Sequence, residues 1–325
     1  MKIVPANENK LRAEEIIKGL HLLSTFQHMF TVNPKELKTS LFHSYMLSAI
    51  APRPIAFAST IGNDGNPNLS PFSFFNAFGS HPPVVVFSPS RRVRDNTTKH
   101  TLQNVYEVKE VVINVVNYAM VQQASLASTE YPKGVNEFVK AGFTPLASVM
   151  IKPFRVKESP VQMECKVLNV IETGYEGGAA NLVICEILLM HISEEILTDD
   201  KKIDQHKIDL VARMGFDWYC RASGSALFEV PKPNVKIGIG IDKIPEKILY
   251  SKVLTGNDLG KLGNVEALPV KEEIDVYKHT EQIKTLMARF GKVPEELELH
   301  SHELAKVMLD KGEVNEAWKV LLSIY

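Results

Sequence analysis

Residues 68–88 read NLSPFSFFNAFGSHPPVVVFS, and they decide how the rest of the chain is interpreted. The stretch begins like a strand, places Ser73, two phenylalanines and Asn76 in succession, and passes Gly79 and two prolines before a run of valines. Such runs, bounded by glycine and proline, are typical of strands separated by turns. A bend leaves backbone amides free for a ligand, whereas a paired strand uses them in the sheet. The stretch therefore predicts a ligand-facing bend over residues 73–79, directly before a buried strand.

Further β-rich runs flank this stretch between residues 44 and 230. They are IAFAST, EVVINVVN, VQMECKVLNVIE and NLVICEILLMHISEE. Strands that are apolar on both faces favour a barrel or a sandwich over an open sheet with one wet face. Helical patterns intervene only at residues 120–128 and 135–141, which argues against a doubly wound fold. We expect a mainly β protein built as a small closed antiparallel barrel with peripheral helices.

The two ends of the chain have a different pattern. Residues 10–26 carry apolar side chains at near-helical spacing, so they form either a short amphipathic helix or an unstructured leader before a second possible start at Met29. The C-terminal part contains three amphipathic helices, and residues 303–325 look like one tetratricopeptide-type hairpin. One copy cannot form a solenoid, so we expect these helices to pack on the barrel or on a partner subunit. The predicted domains are residues 1–43 as an N-terminal extension, 44–233 as the barrel, and 234–325 as a linker and helical C-terminal extension.

The composition is that of an ordinary globular protein. The 325 residues are 45% hydrophobic and 23% charged, with a formal net charge of −1, so no overall field favours nucleic acid or a membrane surface. The three cysteines, Cys165, Cys185 and Cys220, are far apart in sequence, which argues against a disulfide framework. The N-terminus lacks the apolar core of a signal peptide. We expect a cytoplasmic protein with neither nucleic acid nor membrane as its partner.

Several short motifs do not predict a nucleotide-binding, metal or catalytic site. The segments GIGID (residues 238–242) and GNDLGKLGN (residues 256–264) lack the full patterns of nucleotide-binding loops, and we interpret both as plain turns. His300 and His302 lie two residues apart at the predicted start of a helix, where side chains point in different directions, and we interpret them as surface histidines rather than metal ligands. No nucleophile with a convincing partner is visible, so we assign no catalytic side chain and no metal.

Polar and cationic side chains are concentrated between residues 59 and 114. The segment RRVRDNTTKHT (residues 91–101) combines three arginines, a lysine and several hydroxyls just before a helical pattern. Cations, hydroxyls and the free amides at the start of a helix suit a dianionic phosphate. The alternative is a solvated charged loop with a threonine capping the helix.

Several blocks now carry a resemblance to a known family. The segment PRPIAFASTIGNDGNPNLSPFSFFNAFGSHPPVVVFS, followed in order by KHTLQNV, EVVINVV, NEFVKAGF and ESPVQMECKV, resembles the flavin reductase-like family of FMN-binding split barrels. That family includes flavoredoxin and the reductase component of nitrilotriacetate monooxygenase. The resemblance spans roughly residues 46–229. It implies a six-stranded Greek-key barrel that forms a homodimer and binds FMN noncovalently.

The resemblance also implies which residues bind the cofactor. Ser59 and Thr60 would contact the ribityl or phosphate group, and residues 73–76 would present backbone amides to the isoalloxazine edge. Lys99 and Thr101, with Arg94, would hold the phosphate, although His100 stands where the family usually has aspartate. The complete set of expected FMN-binding residues is Ser59, Thr60, Ser73, Phe74, Phe75, Asn76, Arg94, Asn96, Lys99, Thr101 and Asn114.

The resemblance implies an oxidoreductase. We expect an NAD(P)H-dependent flavin reductase that transfers hydride to bound FMN and passes electrons to another flavin or acceptor, including a partner oxygenase or electron-transfer protein. The alternative is an FMN-containing electron carrier that is reduced by a partner protein and does not react with NAD(P)H.

Overall fold

The computed structural model describes residues 29–233 and 237–325, which form two compact units, Phe30–Phe228 and Glu229–Tyr325. The helix expected at residues 10–26 lies outside the described residues. No described helix combines the length and the apolar character that crossing a membrane requires.

The first unit alternates strands with short helices. Its α-helices are α1 (Thr39–Ala49), α2 (His100–Val108), α3 (Val121–Leu126) and α4 (Glu137–Ala141). Its first strands are β1 (Ala56–Ile61), β2 (Pro67–Phe72), β3 (Phe75–Ser80), β4 (Pro83–Phe87) and β5 (Glu110–Val115). Its later strands are β6 (Pro145–Leu146), β7 (Arg155–Val156), β8 (Val161–Glu172), β9 (Asn181–Ile192), β10 (Val211–Arg213) and β11 (Tyr219–Arg221).

One antiparallel sheet dominates this unit, with the strand order β2-β1-β5-β8-β9-β4-β3. The prediction of a mainly β fold with peripheral helices is confirmed, whereas the count of six strands is wrong, because the sheet has seven. The additional strand is β3. Residues 75–79 were expected to belong to the bend, but they lie in β3, which pairs with β4 at the edge of the sheet. The bend that the sequence predicted is limited to Ser73 and Phe74.

Successive side chains of β1 point to opposite faces of the sheet, and each face packs in a different apolar cluster. Ala56 and Ala58 belong to the core cluster that also contains Phe87, Val105 and Cys165. Phe57 points to the opposite face, where it packs edge-on against Phe143, with ring centroids 5.2 Å apart. Both faces are therefore covered, which explains why the β-rich runs are apolar without a clear two-residue alternation.

The second unit is helical. Its α-helices are α5 (Glu246–Leu249), α6 (Gly256–Gly263), α7 (Lys271–Tyr277), α8 (Glu281–Phe290), α9 (Pro294–Asp310) and α10 (Val314–Ser323). Trp318 is fully buried in their common core and donates its indole N–H to the carbonyl of Leu262. The turn between α9 and α10 contains Gly312 at φ +80°, a conformation that glycine adopts without steric cost.

Two interpretations of this region are wrong. The segment at residues 256–264 is helix α6 rather than a turn, because Thr255 and Asp258 form a reciprocal capping box at its start. His302 is not a surface residue: it lies inside α9, is 2% exposed, and is bonded through Nδ1 to the Ser251 hydroxyl (2.7 Å) and through Nε2 to the Tyr325 hydroxyl (3.2 Å).

Candidate functional site

A cleft of about 470 Å³ opens in the first unit, beside the bend that follows β2. Its volume lies in the range of small-molecule and cofactor sites. The walls come from α1, the end of β2 with the bend, the loop after β4, the residue before α2, and the loop after α3. The lining side chains used below are His43, Phe72, Ser73, Phe74, Ser88, Ser90, Arg91, Arg92, Arg94, Lys99 and Glu130.

The buried guanidinium of Arg53 fixes the bend. It donates to the carbonyls of Leu47, Ile50 (2.7 Å) and Met214 (2.8 Å), and to the hydroxyl of Ser73 (3.4 Å). Hydrogen bonds that involve a charged group are about twice as strong as neutral ones. Arg53 therefore ties the C-terminal end of α1 and the bend to one point.

The walls of the cleft beside the bend are aromatic and polar. The rings of His43 and Phe74 meet edge to face, with centroids 6.1 Å apart. Burial, and secondarily the charge of Arg53, lowers the pKa of His43 below its usual value, which favours the neutral imidazole. Ser88 lies directly beside the bend, since its backbone N–H donates to the carbonyl of Phe74 (2.9 Å). Its hydroxyl lies 3.1 Å from that of Ser90 and accepts the backbone N–H of Asn181.

The arginine-rich loop is held mainly by its own side chains. Arg91 donates to the side chain and the carbonyl of Asn96, and Arg92 donates to the hydroxyl of Thr97 and the carbonyl of Thr98. Arg94 pairs with Asp95. These contacts occupy guanidinium N–H groups that, from the sequence alone, we expected to be available for a ligand.

Glu130 joins two of these arginines from across the cleft. Its Oε1 lies 2.7 Å from Nε of Arg92, and its Oε2 lies 2.7 Å from a terminal nitrogen of Arg94. The hydrogen bonds from Arg94 and Arg92 lower the pKa of the Glu130 carboxyl, so it is ionised at neutral pH.

The turn between β8 and β9 packs against the same loop. The backbone N–H of Gly178, at φ +94°, donates to the carbonyl of Arg91 (3.1 Å). A Cβ atom at Gly177 would lie 3.0 Å from the carbonyl oxygen of Val93. Glycine is required here because two backbones approach closely.

Lys99 differs from the arginines. Within the described part of the chain, no hydrogen bond or ion pair engages its ammonium group. Partial burial, reinforced by the positive charges of Arg92 and Arg94, lowers its pKa below the usual lysine value, although Glu130 and Asp95 oppose this shift. Lys99 is also the N-cap of α2, in an extended conformation and with no side-chain cap. An uncapped helix start beside an unpaired cation is a favourable place for an anion.

A buried polar network lies near Lys99. The Asn68 amide donates to the hydroxyls of Thr60 (3.3 Å) and Thr101 (2.9 Å), and the Asn104 amide donates to Thr60 (3.1 Å). All four residues are buried. The network ties the start of α2 to β1 and β2, and so fixes the position of Lys99.

The structure brings only part of the expected FMN-binding set together. Ser73, Phe74, Arg94 and Lys99 line the cleft. Ser59, Thr60, Thr101 and Asn114 are buried in the protein interior, where Asn114 bonds the carbonyl of Phe57 and the N–H of Val156. Phe75 and Asn76 lie in the edge strand β3, and the Asn96 side chain accepts from Arg91 and donates to the carbonyl of Tyr175.

The polar lining residues that were not foreseen are His43, Ser88, Ser90 and Glu130. His43 belongs to a helix that begins before the predicted β-rich region of residues 44–230. Glu130 is separated from the arginine loop by more than 30 residues of sequence. The segment FSPSRR could have indicated Ser88 and Ser90 as ligand-binding residues, because hydroxyls directly before arginines suit a phosphate.

The comparisons with known proteins agree with this fold. The family model of the flavin reductase like domain matches residues 47–205. An uncharacterised protein from Aquifex aeolicus (strain VF5) is 36% identical over 196 residues, which cover 60% of this chain and 97% of that protein. The chain belongs to the flavin reductase-like family.

Two solved structures are similar in both fold and sequence. Nitrilotriacetate monooxygenase component B from Bacillus cereus has a TM-score of 0.59 and 26% identity, covering 63% of this chain and 100% of that chain. A protein from Shewanella frigidimarina NCIMB 400, assigned as a flavin reductase with a split barrel domain, has a TM-score of 0.53 and 26% identity, covering 63% of this chain and 99% of that chain. The first unit therefore has the split-barrel fold of flavin reductases.

The residues of the cleft fit a flavin. Lys99, the serine hydroxyls and the uncapped start of α2 provide the cation, the donors and the dipole that a phosphate requires. Phe74 offers an apolar ring against which a planar ring system can pack.

Proposed function

We propose that the cleft binds FMN noncovalently and that the protein is an NAD(P)H-dependent flavin reductase. The observation that carries the proposal is the unpaired, half-buried Lys99 at the uncapped start of α2, in a cleft that the aromatic ring of Phe74 also lines. Bound FMN would supply the redox chemistry, accepting hydride from the nicotinamide and releasing electrons to a second flavin or another acceptor.

In this proposal the side chains bind and orient and do not transfer protons. Lys99 and Arg92 hold the phosphate by charge, and the hydroxyls of Ser88 and Ser90 add hydrogen bonds. Phe74 and the neutral imidazole of His43 exclude water from one wall of the ring site. Arg53 keeps the bend in place, so that the backbone at Ser73 and Phe74 is preorganised toward the pyrimidine edge of the flavin.

An anaerobic absorbance measurement tests the function. The protein is reconstituted with FMN, and spectra are recorded before and after addition of NADH and then of NADPH. Bleaching of the bound flavin at about 1 s⁻¹ or faster supports a reductase and identifies its donor. A flavin that bleaches with dithionite but with neither nucleotide would identify an electron carrier reduced by a partner protein. Absence of any bound flavin would contradict the whole assignment.

We further propose that the protein acts as a homodimer. Among the residues that the structure describes, strand β3 pairs with β4 alone, and it carries Phe78, which is 70% exposed. Exposed sheet edges are usually protected in soluble proteins, and a second subunit would do this here. Light scattering coupled to size exclusion should give twice the chain mass of 36.4 kDa, and a monomer at micromolar concentration would contradict the proposal.

A further inference from the structure

The two ion pairs of Glu130 involve cations that line the cleft. Arg92 is better placed than Arg94 to bind a ligand inside the cleft, because its side chain is 17% exposed and it lies beside Lys99. Arg94 is at the rim, with its side chain 71% exposed. Glu130 also lines a second, much smaller cavity next to the cleft, which Lys99 and Thr101 share.

A carboxylate and a phosphate oxygen compete for the same guanidinium donors. Arg92 donates through Nη1 to Thr97 and Thr98 and through Nε to Glu130, so Glu130 occupies one of the donors of a cation that lines the cleft. The Glu130 side chain is 42% exposed. It can therefore rotate into solvent without disturbing a packed core.

We propose that Glu130 is an internal competitor for the phosphate-binding cations of the cleft. Its carboxylate pairs with Arg92 and Arg94 in the free protein, so a phosphate must compete with it for their positive charge. Glu130 thereby lowers the affinity for phosphorylated flavins and limits the preference for FMN over riboflavin, which has the same ring system without the phosphate. This inference rests on the proposed function, since it concerns the same cleft.

The experiment compares Glu130→Gln with the wild-type protein and with Glu195→Gln. The control removes the same charge from an exposed position of the same unit that does not line the cleft. Dissociation constants for FMN and riboflavin are measured by quenching of flavin fluorescence, so the readout does not depend on turnover. We expect Glu130→Gln to bind FMN about three- to tenfold more tightly, with riboflavin unchanged and the control like the wild type.

The other outcomes are decisive as well. Weaker binding of FMN would mean that Glu130 orients the arginines for the phosphate, and unchanged binding would mean that it does not compete; both overturn the inference. An equal gain for riboflavin would indicate a steric effect and would also overturn it. If the wild-type protein binds neither flavin, the proposed function fails, and calorimetric titration with inorganic phosphate decides the inference separately. In that case Glu130→Gln must bind phosphate more tightly than the wild type for the inference to stand.

Discussion

At the scale of single residues, Lys99 makes the most specific prediction about the cleft. Replacing it by glutamine should weaken FMN binding about 10- to 100-fold, since a hydrogen bond to a charged group contributes about 1.5–3 kcal/mol. Riboflavin binding should hardly change. Lys157→Gln is the matched control, because Lys157 is exposed and lies outside the cleft. Flavin fluorescence titration measures both ligands, and an equal loss for riboflavin would assign Lys99 to the ring rather than to the phosphate.

The lowered pKa of Lys99 adds a dependence on pH. Deprotonation removes the charge that pairs with phosphate, so FMN affinity should fall as the pH rises through this pKa. The fall should begin at a lower pH than an ordinary lysine would give. The same titration repeated at increasing pH checks this, and Lys99→Gln should lack that component.

His302 makes a residue-scale prediction for the second unit. Burial lowers its pKa, although the charge of Glu298 opposes this, and the groups bonded to its ring are Ser251 and Tyr325. A histidine whose pKa is lower in the folded state binds a proton more readily in the unfolded chain. Stability should therefore fall as the pH drops from about 6.5 toward the folded pKa.

Urea unfolding at pH 7.5 and pH 5.5, followed by the fluorescence of Trp318 in a Trp218→Phe background, measures this effect. The midpoint should drop more on acidification in the parent protein than in His302→Gln. His279→Gln, which changes an exposed histidine of the same unit, is the control and should behave like the parent. An equal acid response in all three proteins would show that His302 is not the titrating group.

At the scale of elements, the start of α2 combines a poor helix cap with the proposed binding cation. Lys99 has N-cap geometry, at φ −80° and ψ 148°, but its side chain cannot accept a hydrogen bond from the first turn. Asparagine can, whereas the longer glutamine is not among the preferred caps. Lys99→Asn should therefore be about 1 kcal/mol more stable than Lys99→Gln, although both lose FMN affinity equally. Urea unfolding of the two variants tests this, and equal stabilities would mean that α2 gains nothing from a cap.

The elements also show what the sequence could and could not predict. Strand β8 matches its predicted range of residues 161–172, because a long apolar run bounded by turn residues is compatible with few other secondary structures. Strand β3 was missed because its pairing with β4 depends on tertiary contacts, while its own sequence, FNAFGS, has the polar and glycine residues of a bend. Helix α6 was missed because glycines at residues 256, 260 and 263 outweighed the capping box.

The candidate site was predictable to the extent that its residues are local in sequence. Lys99 and Ser73 could be proposed as site residues from local sequence motifs, since each lies beside other polar residues of the same segment. The ion pairs of Glu130 join loops more than 30 residues apart, so no local pattern contains them. The burial of His302 likewise depends on Ser251, which is distant in sequence.

At the scale of the whole molecule, each unit has a core made of its own residues. Among the described residues, the clusters of the first unit draw on residues 55–219, and the main cluster of the second draws on residues 239–322. A protein consisting of residues 30–228 should therefore fold and bind FMN within about threefold of the full chain, because the cleft is complete within it. Far-ultraviolet circular dichroism and FMN titration measure this. Failure of the fragment to fold, or loss of binding by a folded fragment, would show that the first unit depends on the second.

The placement of the cysteines in the barrel has a practical consequence for labelling. Cys165 and Cys185 lie in the apolar core, where burial raises the pKa of Cys165 to about 12 and that of Cys185 well above its usual value. Since the thiolate is the reactive form, both should resist alkylation in the folded protein. Cys220, in β11, is partly exposed. The unmodified protein should thus take up one equivalent of a maleimide dye at a single position on the first unit, which would let its association be followed by fluorescence anisotropy without introducing or removing a thiol.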